Sequence, residues 1–291
     1  MVIKISQLYS QVRRSLLETE DPDTAGMMAR LLLCHITGKT REQFLADREM
    51  YVSDDVCAAT EGLVSRLKAG EPLAYILGRW EFYGLELIVN PSVLIPRDDT
   101  CAVAELAIEQ AKRLLGEVRI LDLCTGSGCI GLAIASRVPN ARVTLADIST
   151  NALVVARENV ALNNLKNRVT CVNVDALSAP PHYLGKFDLI VSNPPYITTQ
   201  EMTELPGSVA DYEPHLALFG GDDGLDFYRS IARNYTAALK PGGYLCFEFG
   251  MGQGNAVCDI LDQNQYTILE RTRDYNDRER AVIAQFGRKE D

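Results

Sequence analysis

The hydrophobic rhythm of the chain changes near residue 97. Before about residue 75, apolar positions recur at helical spacing. Ile5, Leu8, Val12, Leu16 and Leu17 mark a first helix. Ala25, Met28, Leu31 and Leu32 mark a second, ending near Gly38, with Asp23 or Thr24 as its expected N-cap. Thr40 opens a short helix through Leu45, and Ser53 opens one that runs to Gly70 with Val56, Ala59, Leu63, Val64 and Leu67 inward. Trp80, Phe82 and Tyr83, then Gly84 and the apolar Leu85, Leu87, Ile88 and Val89, predict a β-hairpin whose aromatics pack. From about residue 97, short apolar runs alternate with helical stretches, which predicts an α/β domain built on a parallel sheet. The strands read as 119–123, 142–146, 169–174, 187–192 and 243–249, and the helices as 100–115, 128–137, 150–163 and 225–239. Two last strands, 266–273 and 281–286, are too close for a helical crossover and are expected to pair antiparallel. The expected layout is a helical domain over 1–75, a hairpin linker over 76–96 and a doubly flanked, seven-stranded sheet with an antiparallel last strand over 97–291.

Composition narrows the function classes. The 291 residues allow one large or two modest domains. No run approaches the length of a membrane span, and the first ten residues lack the apolar core of a signal peptide. Eight cysteines occur without a CxxC pair or ligand-like His/Cys spacing, so neither a metal site nor a disulfide framework is expected, and a reducing cytoplasm fits. The net charge of −10 is a poor electrostatic footprint for a nucleic-acid partner, although acidity also serves solubility.

Two loops carry the candidate chemistry. Asn193-Pro194-Pro195-Tyr196 follows the strand 187–192. A carboxamide oxygen on Asn193 and the carbonyl of Pro194 can accept both N–H bonds of a planar NH2 group, aiming a weakly nucleophilic nitrogen. The prolines stiffen the turn, and Tyr196 can lie flat against an amide or a base. Such a turn behind a glycine loop marks methyltransferases acting on planar amines; in isolation it is also an ordinary Pro-Pro turn. The glycine loop is Cys124-Thr125-Gly126-Ser127-Gly128, after the strand that ends at Leu123. Glycine there lets backbone turn sharply and approach a ligand, although any tight strand–helix turn favours it. Asp147, about twenty residues further on, can accept bonds from ribose hydroxyls or cap the next helix. Asp175 and Ala176 stand where this layout reaches an adenine. Asp122 either approaches a ligand amine or orients the loop.

The DLxTGSG-type loop resembles the S-adenosylmethionine loop of class I, Rossmann-like methyltransferases. Further segments resemble one family, the peptide-chain release factor N5-glutamine methyltransferases: Glu71–Gly78, Glu81-Phe82, Leu94–Arg97, Ser192–Ile197, Tyr212–Pro214 with Ala217-Leu218, Gly220–Leu225, Pro241–Gly243, and Asp274-Tyr275 before Arg278–Arg280. The resemblance implies methyl transfer from S-adenosylmethionine to the side-chain amide of the glutamine in the GGQ motif of release factors, by a cytoplasmic monomer that binds neither membrane nor nucleic acid. It implies that Cys124, Thr125, Gly126, Ser127, Gly128, Asp147, Asp175, Ala176 and Asn193 line the cofactor. It also implies that Asn193, Pro194, Pro195 and Tyr196 hold the glutamine, with the N-terminal helices recognising substrate. Two positions depart from the family: Cys124 replaces a glycine and must take negative φ or carry strain, and Cys101 replaces a glutamate. The acid-rich connection 198–226 is an expected docking loop. N-methylation of an exocyclic amine on a nucleic-acid base is the competing activity, and a non-catalytic cofactor-binding module the competing class.

Overall fold

The computed structural model describes residues 3–287; the outermost residues of the expected 1–75 and 97–291 domains lie outside this range. The chain divides into two compact units, residues 1–78 and 79–291. The hairpin therefore belongs to the larger unit.

The smaller unit holds a two-residue strand β1 (Ile3–Lys4), α1 (Ile5–Leu16), α2 (Pro22–Thr37), α3 (Arg41–Ala46), strand β2 (Tyr51–Val52), α4 (Asp54–Lys68) and α5 (Leu73–Leu77). Its core takes Ile5, Leu8, Val12 and Leu16 from α1 and Ala25, Ala29, Leu32 and Leu33 from α2. Leu17, expected inside, is exposed because it follows the last helical turn. The α2 cap is Asp21 rather than Asp23 or Thr24: its carboxylate accepts from both of their backbone N–H groups, and Pro22 fills the first helical position. Thr40 and Ser53 cap α3 and α4 as their sequences predict. Ala59 is exposed, whereas Thr60 is buried and returns its hydroxyl to the Val56 carbonyl.

The larger unit begins with the hairpin β3 (Arg79–Phe82) and β4 (Leu85–Ile88). Its two-residue turn, Tyr83 at φ 53° and Gly84 at φ 79°, suits the twist of antiparallel strands. Then come α6 (Cys101–Arg113), β5 (Val118–Leu123), α7 (Cys129–Arg137), β6 (Ala141–Asp147), α8 (Thr150–Leu162), β7 (Val169–Asn173), β8 (Phe187–Ser192), and the short helices α9 (Thr199–Met202) and α10 (Gly207–Ala210). The chain finishes with α11 (Asp226–Asn234), β9 (Leu239–Glu248), α12 (Gly254–Gln263), β10 (Tyr266–Arg273) and β11 (Glu279–Phe286). The seven strands lie in the order β10-β11-β9-β8-β5-β6-β7, and β11 runs antiparallel to both its neighbours. Helices α6, α7 and α8 pack on one face, with hairpin residues Phe82 and Leu87; α11 and α12 pack on the other. Ile120, Leu121 and Leu123 of β5 are fully buried, each worth about 1.5–3 kcal/mol of apolar transfer.

Two expected boundaries move, and one helix was not expected. The strand expected from Gly243 begins at Leu239, with Pro241-Gly242-Gly243 absorbed in an irregularity where the register jumps from Phe187↔Leu239 to Leu189↔Tyr244. The helix expected to reach Leu239 stops at Asn234 and tightens into a 3-10 turn over Tyr235–Ala238. Helix α12 has no counterpart in the sequence reading, because its glycine-rich approach (Gly250, Gly252, Gly254) looks like loop; it is held by Val257, Ile260 and Leu261.

Strand order fixes where a site can form. The chain leaves β5 to one side for β6 and β7, then crosses to the other side for β8 and β9. Between β5 and β8 the sheet has its switch point, and ligands of open α/β sheets bind outside the carboxyl ends of the strands there. The glycine loop leaves β5 and the Asn193 turn leaves β8, one on each side of that point.

Candidate active site

A cleft opens at this edge, with about 1030 Å³ of empty space that is partly open to solvent. Its wall includes Cys124, Thr125, Gly126, Ser127, Asp147, Asp175, Ala176, Asn193 and Pro195. Gly128, Pro194 and Tyr196 are not on that wall.

The loop after β5 is held from beneath by Asp122, which is fully buried and does not line the cleft. Its Oδ2 accepts from Thr125 Oγ1 at 2.6 Å and from Gly131 N at 2.9 Å, and Oδ1 has no partner among the described residues. Burial pushes its carboxyl up to about 7, against the hydrogen bonds from Thr125 and Gly131. Orienting the loop is thus what its geometry does. Cys124 sits at φ 57°, so of the two options at this position the chain takes the strained left-handed one. Gly126 and Gly128 share that region at 52° and 85°.

Asp147, at the end of β6, accepts from Gly126 N at 2.9 Å and from Ser149 N at 2.9 Å, one bond on each oxygen. It therefore ties the loop to the strand end. Each carboxylate oxygen keeps a second lone pair, which fits a ligand diol. Desolvation raises its pKa, against those backbone bonds. Asp175 reaches the cleft wall, while its oxygens accept locally from Leu177 N and Ser178 Oγ. Apolar Ile148, Val174, Ala176 and Leu177 continue the wall. Arg97 is the one cation there among the described residues, and it is ion-paired to Glu213. A mostly apolar cleft with two aspartates on its wall and a diol acceptor fits a cationic sulfonium nucleoside such as S-adenosylmethionine.

The turn after β8 is supported very differently. Ser192 Oγ donates to Leu123 O at 2.8 Å, locking β8 to β5 beneath it. Ile197 N donates to Leu218 O and Gly220 N to Ile197 O, both at 2.9 Å. Gln253 Nε2 donates to Tyr196 O at 3.0 Å. Gly220 is glycine because a Cβ there would stand 2.6 Å from Tyr196 Cα and 2.7 Å from Pro195 O. The Tyr196 phenol is pushed up to about 12, chiefly by burial, so it stays protonated. Its ring joins the core cluster that contains Tyr228 and Phe249.

Segments that the sequence offers only through family resemblance form a connected frame. Glu213, whose side chain is 1% exposed, accepts from Ile95 N at 3.2 Å and pairs with Arg97. The Leu94–Arg97 segment is thereby fastened to the 198–226 connection. Arg280, buried on β11, reaches Asp99 at 3.0 Å and Asp274 at 3.2 Å. Cys101 lies off the cleft wall, its thiol pushed up to about 11 by burial, first of all, and neighbouring carboxylates. Apart from Glu213, the acids of 198–226 stay exposed but are partly engaged within the chain: Glu201 closes a capping box with Thr198, Asp222 accepts from Thr199, and Asp223 and Asp226 pair with Arg229. Two residues escape the sequence reading altogether. Thr100 and Glu248 are each 2% exposed, and Asn193 Nδ2 lies 3.4 Å from Thr100 Oγ1. A glutamate closing an otherwise apolar strand, Phe247-Glu248-Phe249, is the signal that points to the second.

Residues 102–206 match the family model described as "Methyltransferase small domain", and residues 7–78 the "PrmC N-terminal domain". A release factor glutamine methyltransferase of Clostridium acetobutylicum is 38% identical over 259 residues, covering 89% of this chain and 90% of that protein. Another, from Geobacter sulfurreducens, is 38% identical over 276 residues, covering 94% of each. Among solved structures, the hMettl16 catalytic domain, determined with the MAT2A 3'UTR hairpin 6, superimposes with a TM-score of 0.56 at 16% identity, covering 71% of this chain and 77% of that one, a likeness of fold alone. No described helix is long and apolar enough to cross a membrane. The loop, the turn and the helical unit thus stand within a similarity sustained along nearly the whole chain, and the chain belongs to the release factor glutamine methyltransferase family.

Proposed function

We propose that this protein transfers one methyl group from S-adenosylmethionine to the side-chain amide nitrogen of the glutamine in the GGQ motif of peptide-chain release factors. The observation that carries the reading is Asn193 at the sheet's switch point, on the wall of the same cleft as Asp147 and the glycine loop. When bound, the cofactor supplies an electrophilic methyl carbon. Thr125, Gly126, Ser127, Asp147 and Ala176 would hold it, with Cys124 and Asp175 completing the wall. Asn193 Oδ1 and the Pro194 carbonyl take the two amide N–H bonds of the glutamine and fix its nitrogen toward the cofactor. Pro195 and the partly buried Tyr196 ring keep those acceptors in place. No strong base is required: methylation of the amide nitrogen acidifies its N–H, and that proton leaves to water. Among the described residues no histidine lines the cleft, and His215 is engaged with Ala210 O at 2.8 Å.

The two aspartates on the cleft wall and the overall charge of −10 support a protein substrate over a nucleic acid. The same reading takes the protein as a cytoplasmic monomer, with the helical unit recognising the factor. The test is mass spectrometry of a release factor incubated with S-adenosylmethionine and either wild-type or Asn193→Ala protein. A single methyl on the GGQ glutamine, lost in the variant, is expected. A folded, cofactor-binding wild type that leaves the glutamine unmodified overturns the reading.

A further inference from the structure

Beneath Asn193 lies a buried carboxylate for which the proposed reaction has no use. On the adjacent parallel strands β8 and β9, Ser192 is in register with Phe247, so the next step of each chain sets Asn193 beside Glu248. Neighbouring strands are about 4.8 Å apart, close enough for these side chains to meet. Thr100, at the start of α6, fills the remaining side. Asn193 Nδ2 donates to Thr100 Oγ1 at 3.4 Å, and the Thr100 hydroxyl and the Asn193 amide both favour the ionised form of the Glu248 carboxylate. Glu248 Oε2 is buried without a partner among the described residues.

The chemistry of these groups is directional. A carboxylate only accepts, a hydroxyl has one proton to give, and a carboxamide has one accepting end and one donating end. If Thr100 gives its proton to Glu248, its oxygen must accept from Asn193, and the donating end of Asn193 is drawn inward. The accepting end is then left toward the cleft, where a substrate N–H needs it. Turned the other way, Asn193 would present its own N–H groups to the substrate amide and repel it. Proline stiffness in the turn does not settle this choice, because it constrains the backbone and not the side-chain amide.

We propose that Glu248 and Thr100 are positioning residues that fix the orientation of the Asn193 carboxamide, with ionised Glu248 as the acceptor that sets it. The inference rests on the substrate-amide role given to Asn193 above. Protonated Glu248 offers an O–H instead, which Asn193 meets best with its oxygen turned inward. Burial pushes Glu248 up to about 7, with Asp99 opposing ionisation, and Thr100, Arg280 and Asn193 favouring it. Arg280 of β11 and Asp99 of the segment before α6, ion-paired to each other, are its neighbours from those elements. Tyr196 beyond β8, Tyr228 of α11, and Cys101 and Cys129 at the starts of α6 and α7 also feel the Glu248 charge, and their raised pKa values, due first to burial, keep them neutral near pH 7.

The test pairs an activity-independent readout with kinetics. The Asn193 side-chain NH2 resonance is followed in ¹⁵N-asparagine-labelled protein from pH 5.5 to 8.5, and assigned by its loss in Asn193→Asp. It is expected to titrate with a midpoint near 7 in the wild type and to stay flat in Glu248→Gln. On a GGQ peptide, Thr100→Val is expected to lower kcat about tenfold with cofactor affinity within about twofold, and Thr100→Ser to recover most of the turnover. A flat Asn193 resonance in the wild type, wild-type kcat in Thr100→Val, or Thr100→Ser as impaired as Thr100→Val would each overturn the proposal. Absence of any wild-type turnover would defeat the assigned reaction instead, and the resonance alone would then decide the orientation.

Discussion

The loop after β5 and the turn after β8 leave neighbouring parallel strands at the same edge of the sheet, yet they are built on opposite principles. The β5 loop presents backbone. Its glycines and the left-handed Cys124 bring main chain to the cleft, and one buried carboxylate, Asp122, holds the whole bend through two bonds. The β8 turn presents a side chain. Its backbone is stiffened by prolines and clamped by Ile197, Gly220 and Gln253, while the aim of Asn193 depends on groups from α6 and β9. A backbone cradle can be specified locally. A side-chain aim has to be specified by the tertiary structure, because a rotatable amide takes its orientation from what surrounds it.

Adding one methyl group to each region separates them most sharply. In Gly220→Ala the new Cβ meets the backbone of Tyr196 and Pro195, which cannot swing aside. Turnover on a GGQ peptide should fall at least about tenfold, corresponding to about 1.4 kcal/mol or more, while cofactor affinity changes little. In Gly131→Ala the new Cβ meets the ends of the Leu145 and Val143 side chains and stands 2.9 Å from Asp122 Oδ2. Overpacking of about 1–3 kcal/mol should appear as lost stability and weakened cofactor binding. Calorimetric cofactor binding beside kcat decides the matter: if both variants lose the same property, the two regions are not separately built.

The buried acids of the two regions share one pH signature. Asp122 and Glu248 are both pushed up to about 7, from ordinary values of 3.8 and 4.5. The folded state therefore holds protons that the unfolded chain releases. Their contribution to stability is complete below about pH 4 and is lost as pH rises through 7, at about 1.4 kcal/mol per pKa unit. Carboxylates shifted the other way, such as Asp21 and Asp223, titrate below that window. Thermal unfolding between pH 5 and 8.5 should show Tm falling with pH in the wild type and falling less in Glu248→Gln, which is more stable at pH 8 though less active. An equally steep fall in the variant would place the cost elsewhere.

This division also explains what the sequence made legible. Apolar runs announced all seven strands of the large sheet, though not the short pair β1 and β2, and glycine spacing announced the cradle, since both are local patterns. The Asn-Pro-Pro-Tyr turn was legible as a turn with a purpose, but its support was not. Glu248 stands out in the sequence only as a charge between Phe247 and Phe249, and its place beside Asn193 appears only with the register, while Thr100 looks like the start of a helix. The long acidic connection suggested an exposed surface, and its acids other than Glu213 are exposed, but their local pairs with Thr198, Thr199 and Arg229 were not legible in advance. Helix α12 was hidden by the glycines that precede it.

Tyr196 tests how much of the turn's support comes from packing. Its partly buried ring packs against the core cluster and no hydrogen bond to its hydroxyl is present among the described residues, so Tyr196→Phe should retain activity within about twofold. Tyr196→Ala removes the ring beneath the turn and should cost about 2–4 kcal/mol of stability together with turnover. Should Phe prove as damaging as Ala, the hydroxyl has a role in the reaction that packing does not describe.

The smallest effect belongs to Cys124, and its sign is the informative part. A non-glycine residue at φ 57° carries about 1–2 kcal/mol of left-handed strain. Cys124→Gly releases that strain but adds backbone freedom to the unfolded chain, which costs about 0.5–1 kcal/mol, and gives up the partly buried thiol's contacts. The balance predicts a change in unfolding free energy within about 1 kcal/mol, on the stabilising side, with cofactor affinity unaltered because the wall there is backbone. Chemical denaturation and cofactor titration of the single variant measure both. A clearly destabilised protein would mean that the Cys124 side chain anchors the cradle, and that the β5 loop, like the β8 turn, takes part of its shape from the packing around it.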